Sequence, residues 1–284
     1  MTLSVLISVY KAETPTCLDL ALGSVMEDQT HKPDKVVIVE DGALTDELYD
    51  VVDKWEKAFN GKTVIIKNEV NLGLTKSLNI GLRHCDTDLI ARMDSDDISC
   101  PDRFEKQIAF FEEHPEIDIL GGAILEIDED GTPLNERYYP LDSEGVCCSI
   151  HKANPIAHPT VMIRRKIFDN GLRYDERYKT NQDLALWFDA IIAGYKFANL
   201  PDIVLHFRRQ ASVYKRRKKI KNLLREFRIY CSGIKRLYGI LSWRYIYPFS
   251  RLCLKLMPVC VVKWAYRSHL RSAITQNNRK TQKQ

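Results

Sequence analysis

The sequence predicts an α/β protein, a mostly parallel sheet flanked by helices, followed by a basic helical extension. Two observations predict the sheet. Short β-rich runs such as Leu3 to Val9 and Lys35 to Val39 are mostly apolar, as strands covered on both faces are. Each is followed by a segment with helical spacing of its apolar residues, and strand–helix alternation builds a parallel sheet. The third observation is charge. From Val213 to Gln284 there are 19 Lys or Arg and one acid, Glu226, or +18; the chain totals +4, so the first 212 residues carry −14. An acidic body with a basic tail is the expected organisation.

The elements follow in order. Leu3 to Val9 is the first strand. Thr14 can cap the next helix, Pro15 suits its first turn, and Leu18, Leu22 and Val25 give it an inward face. Lys35 to Val39 is a second strand closing at Glu40-Asp41-Gly42. A helix from Asp46 to Phe59, a strand from Thr63 to Lys67, a loop and helix from Asn71 to Arg83 and a strand from Leu89 to Met93 come next. Pro101 begins a helix with Phe104, Ile108 and Phe111 on one side. Ile117 to Ile127 and Pro159 to Ile163 read as strands, and Asn181 to Ala193 as a helix packing Leu184, Trp187, Phe188 and Ile191. A boundary near residue 210 separates a first domain, 1–210, from a basic amphipathic region, 211–284, opened by Lys215-Arg-Arg-Lys-Lys. Its apolar groups, Leu237 to Tyr247 and Leu252 to Val262, are interrupted by Pro248 and Pro258.

Eight scattered cysteines without a CxxC pair support neither a zinc site nor a disulfide framework, and are expected as reduced thiols in a cytosol. The N-terminus lacks the basic start of a signal peptide, and no apolar run reaches the roughly 18 residues of a membrane span.

Arg92-Met-Asp94-Ser-Asp96-Asp97 closes the fourth strand. Three carboxylates so close need a counter-charge, and a hard divalent cation takes oxygen ligands while keeping positions for phosphate oxygens. The alternative is a solvated loop capping the Pro101 helix. The Glu40-Asp41-Gly42 turn sits at the same predicted edge, where an acid can accept hydrogen bonds from a ribose hydroxyl or a base. Asp183, on the first turn of an apolar helix, is either a helix cap or a general base. His158, at a strand entry, and Arg208, near the end of the first domain, are weaker candidates for acceptor or diphosphate contact.

Taken together these residues resemble glycosyltransferase family 2, the inverting enzymes of the GT-A fold. The resemblance runs from Ser4 to Ser212 and rests on an ordered set: Ser4 to Tyr10, Glu40-Asp41-Gly42, Asn71-Leu-Gly73, Asp94-Ser-Asp96-Asp97, and Gln182-Asp183 with Leu186-Trp187. The run Ala91 to Asp97, Pro101 with Arg103, and His158-Pro-Thr are similar to the bacterial O-antigen and exopolysaccharide enzymes of the amylovoran type. The chain departs from the family at Ser8-Val9-Tyr10-Lys11, where Pro and Asn are frequent, and at Gln210, where His is.

The resemblance implies a UDP-sugar donor, with Tyr10, Glu40, Asp41, Asn71 and Asp94 about the nucleotide sugar, Asp94 and Asp96 on Mn²⁺ or Mg²⁺, and Asp183 as base. It further implies a hexose, glucose or galactose, passed in β-1,3 linkage to an amino sugar on undecaprenyl diphosphate. The basic tail is expected to hold the protein peripherally at the anionic cytoplasmic face of the inner membrane, with Trp243, Tyr245, Tyr247 and Phe249 at the interface. Docking of that tail on the acidic body is the other reading. No nucleic-acid recognition motif accompanies the charge. A sugar nucleotidyltransferase would want a Gly-rich loop after the first strand, which Ser8-Val-Tyr-Lys-Ala-Glu lacks. A non-catalytic membrane-surface module remains the competitor from another class.

Overall fold

The computed structural model describes residues 1–59, 61–209 and 220–256. Strands β1 (Leu3–Val9), β2 (Lys35–Glu40), β3 (Thr63–Lys67) and β4 (Leu89–Asp94) form a parallel set in the order β3-β2-β1-β4. Beyond β4 the sheet becomes mixed. β8 (Met162–Arg164) runs antiparallel to β4, and β6 (Ile119–Ile127) antiparallel to β8. β9 (Phe197–Arg208) lies parallel to β6 and carries the short β5 (Ile98–Ser99) on its far side, while β7 (Pro133–Arg137) pairs with β6.

Alternation along each strand divides the core in two. In β1, Val5, Ile7 and Val9 join one cluster and Leu6 the other; in β2, Val36 and Ile38 part from Val37 and Val39 in the same way. The first face is covered by α1 (Pro15–Met26), α2 (Asp46–Ala58) and α4 (Arg103–Glu113). The second is covered by α3 (Leu74–Leu82), α5 (Ser143–Ser149), α6 (Lys166–Asp169), α7 (Gln182–Ile192) and α8 (Ile220–Tyr238). Thr14 caps α1 through the Cys17 N–H at 3.3 Å, with Pro15 in the first turn as expected.

Two local expectations are corrected. His158-Pro-Thr is a 3-10 turn, and the strand starts only at Met162. Pro159 has no N–H for a ladder, and Thr160 Oγ1 donates back to the Ala157 carbonyl at 2.8 Å, which closes the turn. Pro248 does not interrupt a helix. It stands in the first turn of α9 (Ile246–Leu256), where its missing N–H costs nothing. Pro258 lies outside the described residues, as does Gln210.

The described part of the basic segment packs on the body. Tyr230 meets Phe188 of α7 edge-on at 6.1 Å, Ile229 and Ile234 are buried, and Arg236 pairs with Asp189. Tyr238 donates to the Cys147 carbonyl at 2.7 Å.

Candidate active site

Strand register assembles the site. Ser8 lies opposite Asp94 and Val9 opposite Glu40, so Tyr10, Asp41 and Asp94 emerge side by side at the carboxyl ends of the parallel strands. That edge is where open α/β sheets bind ligands.

Asp41 is a clamp. Its carboxylate accepts the N–H groups of Leu72 at 2.7 Å and Gly73 at 2.9 Å, and Asn68 Nδ2 at 3.3 Å. Asn71 returns a bond from its Nδ2 to the Asp41 carbonyl at 3.1 Å. Gly42 makes the approach possible. Its φ is +84°, and a Cβ there would stand 2.7 Å from the Asn71 nitrogen. Tyr10 is 40% exposed at the tip of β1, beside this loop's edge of the sheet. Glu40 turns elsewhere: it is buried, ion-paired with Lys67 at 3.7 Å, and in the field of Asp53 and Glu56 of α2. Burial raises its pKa.

The acid cluster stands on two buried arginines. Arg92 Nη1 donates to Asp94 at 2.6 Å, and Nη2 completes the fork on the other oxygen. Arg103, fully buried on α4, donates to the Arg92 carbonyl at 3.0 Å and to Gln107 Oε1 at 3.1 Å. Burial pulls its pKa down to about 9, so it remains a cation at neutral pH. Ligand oxygens of Asp94, Asp96 and Asp97 all lie within 4.8 Å of one another. Asp97 is wholly buried. Its Oδ1 accepts the Arg208 N–H at 2.8 Å, whereas Oδ2 accepts no hydrogen bond from the protein. Asp96 is pushed up to about 7, by burial first and then by Asp94 and Glu13. An all-oxygen donor set with a buried unpaired oxygen, short of positive charge, fits a hard divalent cation.

Asp183 arrives from the other side. Asn181, with φ 56°, is the one non-glycine among the described residues in the left-handed region, and it turns the chain into α7. Asp183 follows two residues later, half-buried, with Asn154 Nδ2 donating to its Oδ2 at 2.5 Å. Burial raises its pKa; the Leu184 N–H, the charge of Arg92 and the Asn154 bond oppose the rise. Arg92 therefore acts on both Asp94 and Asp183, and the buried Tyr174 hydroxyl feels all three. The base candidate and the metal-binding candidates share one site.

His158 and Arg208 lie behind it. His158 is buried, its Nε2 2.7 Å from the Tyr174 hydroxyl, and burial with the nearby Arg92 holds it neutral. Arg208 is also buried. Its guanidinium donates to the carbonyls of Asp96 at 3.0 Å, Glu129 at 2.7 Å and Asp128 at 3.3 Å, fixing the backbone of the acid loop.

The comparisons with known proteins bear on this geometry. The family model described as glycosyl transferase family 2 matches residues 4–172. The chain belongs to this family. The family 2 relatives include an amylovoran biosynthesis glycosyltransferase, AmsE, of Erwinia amylovora, 34% identical over 93% of this chain and 97% of its own length. A UDP-Gal:alpha-D-GlcNAc-diphosphoundecaprenol beta-1,3-galactosyltransferase of Escherichia coli is 29% identical over 94% of this chain and 96% of its own. Among solved structures, S. aureus TarS 1–349 in complex with UDP-GlcNAc superposes with a TM-score of 0.60 at 17% identity, over 90% of this chain and 82% of that one. That likeness establishes the GT-A fold.

Within the family 2 site, sequence reasoning missed Asn154, Tyr174 and Glu13. Glu13 accepts from Ser95 Oγ at 2.7 Å and so adds a fourth acid to the cluster's surroundings. Asn154 lies in a stretch without periodicity, and Tyr174 reaches the site because Asn79 of α3 holds its backbone by bonds of 2.8 and 3.0 Å. Neither carries a signal readable in one sequence.

Proposed function

We propose that the chain is an inverting, UDP-sugar-dependent hexosyltransferase of O-antigen or exopolysaccharide repeat-unit assembly. Its donor sugar is glucose or galactose, and its acceptor an amino sugar on undecaprenyl diphosphate, joined in β-1,3 linkage. The observation that carries the reading is that Arg92, which forks Asp94 of the Asp94–Asp96–Asp97 cluster, also lies within electrostatic reach of Asp183. The names of the amylovoran and galactosyltransferase relatives support the acceptor class and the pathway.

Asp183 takes the proton of the acceptor hydroxyl as its oxygen attacks the anomeric carbon. The bond from that carbon to the diphosphate breaks, and UDP leaves with the electron pair. One displacement inverts the configuration. Asn154 orients the Asp183 carboxylate, and α7's N-terminus favours its ionised form. Asp94, Asp96 and Asp97 would hold Mn²⁺ or Mg²⁺, which offsets the charge on the departing diphosphate. Arg92 and Arg103 keep those acids in place. Tyr10, Asn71 and the loop clamped by Asp41 form the edge that receives the uridine.

The test is UDP release from a panel of UDP-sugars with a synthetic GlcNAc-diphosphate-lipid acceptor, with Mn²⁺, Mg²⁺ or EDTA. The reading expects turnover of one donor, abolished by EDTA. Turnover unaffected by EDTA would refute the metal role, and turnover only of non-uridine donors would refute the donor class.

A further inference from the structure

Helix α9 leaves an apolar stripe on the side turned away from the body, although it has already packed its other side. Toward α8 it presents Pro248 and Leu252 together with Arg251 and Lys255, and both cations ion-pair with Glu226, the sole acid from Val213 onward. Its outward stripe bears Ile246, Phe249, Cys253 and Leu256 at 3.6-residue spacing, all exposed, with Phe249 still 55% exposed although its ring meets Phe227 of α8 edge-on at 4.9 Å. The turn before it is apolar and largely exposed as well: Ile240 is 71%, Leu241 99% and Trp243, its ring partly against Tyr247 at 5.8 Å, 62% exposed. An exposed apolar patch this continuous marks an interaction surface.

Charge selects the partner. The outer face of α8 exposes Lys221, Arg228 and Lys235, while Glu226 is turned inward, so no carboxylate is exposed between Ile220 and Leu256. A second copy set against this surface would bring cations against cations. An anionic bilayer offers both what the stripe and what the cations require. The −14 of the first 212 residues is repelled by the same surface, which orients the molecule. We infer that α9 and the Ile240–Trp243 turn lie in the headgroup layer of an anionic membrane, with the apolar stripe among the acyl chains. No described helix is long and apolar enough to cross a membrane. Tyr247, expected at the interface, instead turns inward and meets the buried His151 edge-on at 4.9 Å.

The inference is independent of the sugar chemistry, and so is its test. The full chain is floated with vesicles of phosphatidylglycerol and phosphatidylethanolamine, or of phosphatidylcholine alone. Binding is expected only to the anionic vesicles, with a blue shift of Trp emission that Trp243→Phe removes. Binding should fall at least tenfold in Ile246→Ser/Phe249→Ser/Leu256→Ser, with the melting temperature as a control of folding. Leu241→Asp, at a residue without packing partners to lose, should weaken binding in the same direction. Equal flotation of wild type and both variants would overturn the inference, as would no flotation of the wild type. So would a lipid-free dimer in sedimentation that the triple variant converts to monomer, since a second copy would then cover the stripe.

Discussion

Burial raises the pKa of Asp183 against the opposing Leu184 N–H, Arg92 charge and Asn154 bond, and this sets the pH response. The proposed base must be deprotonated to act, so kcat/KM is expected to rise with pH through a value higher than that of an unburied aspartate. Asp183→Asn should lose about 10²- to 10⁴-fold in kcat, together with that limb of the profile, and still bind UDP. A pH–rate profile with UDP titrations on both proteins checks it. Asp96 works in the opposite sense on stability. Its pKa is about 7 in the folded chain against an ordinary 3.8, so its contribution is fully present below about pH 4 and is lost as pH rises through 7. In metal-free protein at pH 8, Asp96→Asn should therefore raise Tm, by about 2 °C or more, while abolishing the stabilisation that Mn²⁺ gives the wild type. Thermal melts with Mn²⁺ or EDTA decide it. These acids were legible in the sequence because three carboxylates in four residues at a strand end have few uses. Arg92 and Arg103 were less so, since nothing in a sequence tells that an arginine is buried beneath a site.

At the scale of elements, two backbone positions hold the site's geometry. Gly42→Ala should cost about 1–3 kcal/mol, because the left-handed backbone is strained for alanine and its Cβ would meet the Asn71 nitrogen. The loop clamped by Asp41 would move with it, so UDP affinity should fall alongside Tm. Asn181→Gly should keep both fold and kcat, whereas Asn181→Val should lose kcat through a misplaced α7. Chemical denaturation and steady-state kinetics measure these effects. The parallel strands could be read from the sequence because runs such as Lys35 to Val39 are covered on both faces. β9 escaped because it mixes buried and exposed positions along 12 residues and contains Pro201. The His158-Pro-Thr turn escaped because its decisive bond is made by a threonine side chain.

At the scale of the molecule, the basic segment is partly a structural member. Gly233 of α8 faces Phe188 of α7, and a Cβ there would lie 2.3 Å from the Phe188 ring. Gly233→Val should destabilise by about 1–3 kcal/mol and lower kcat, since Phe188 and Asp183 belong to the same helix. The charge asymmetry was plain in the sequence, but its division between a docked α8 and an α9 with an exposed apolar stripe was not. Only the fold shows that the single acid, Glu226, faces the cations of α9. In the proposed mechanism Asp183 is the one base, and the acid cluster would hold the cation that takes up the charge of the leaving diphosphate. The most direct measurement is the anomeric configuration of the product formed from an α-linked UDP-sugar, read by NMR. The account predicts a β linkage; an α linkage would require a covalent intermediate or a same-face attack and would contradict it.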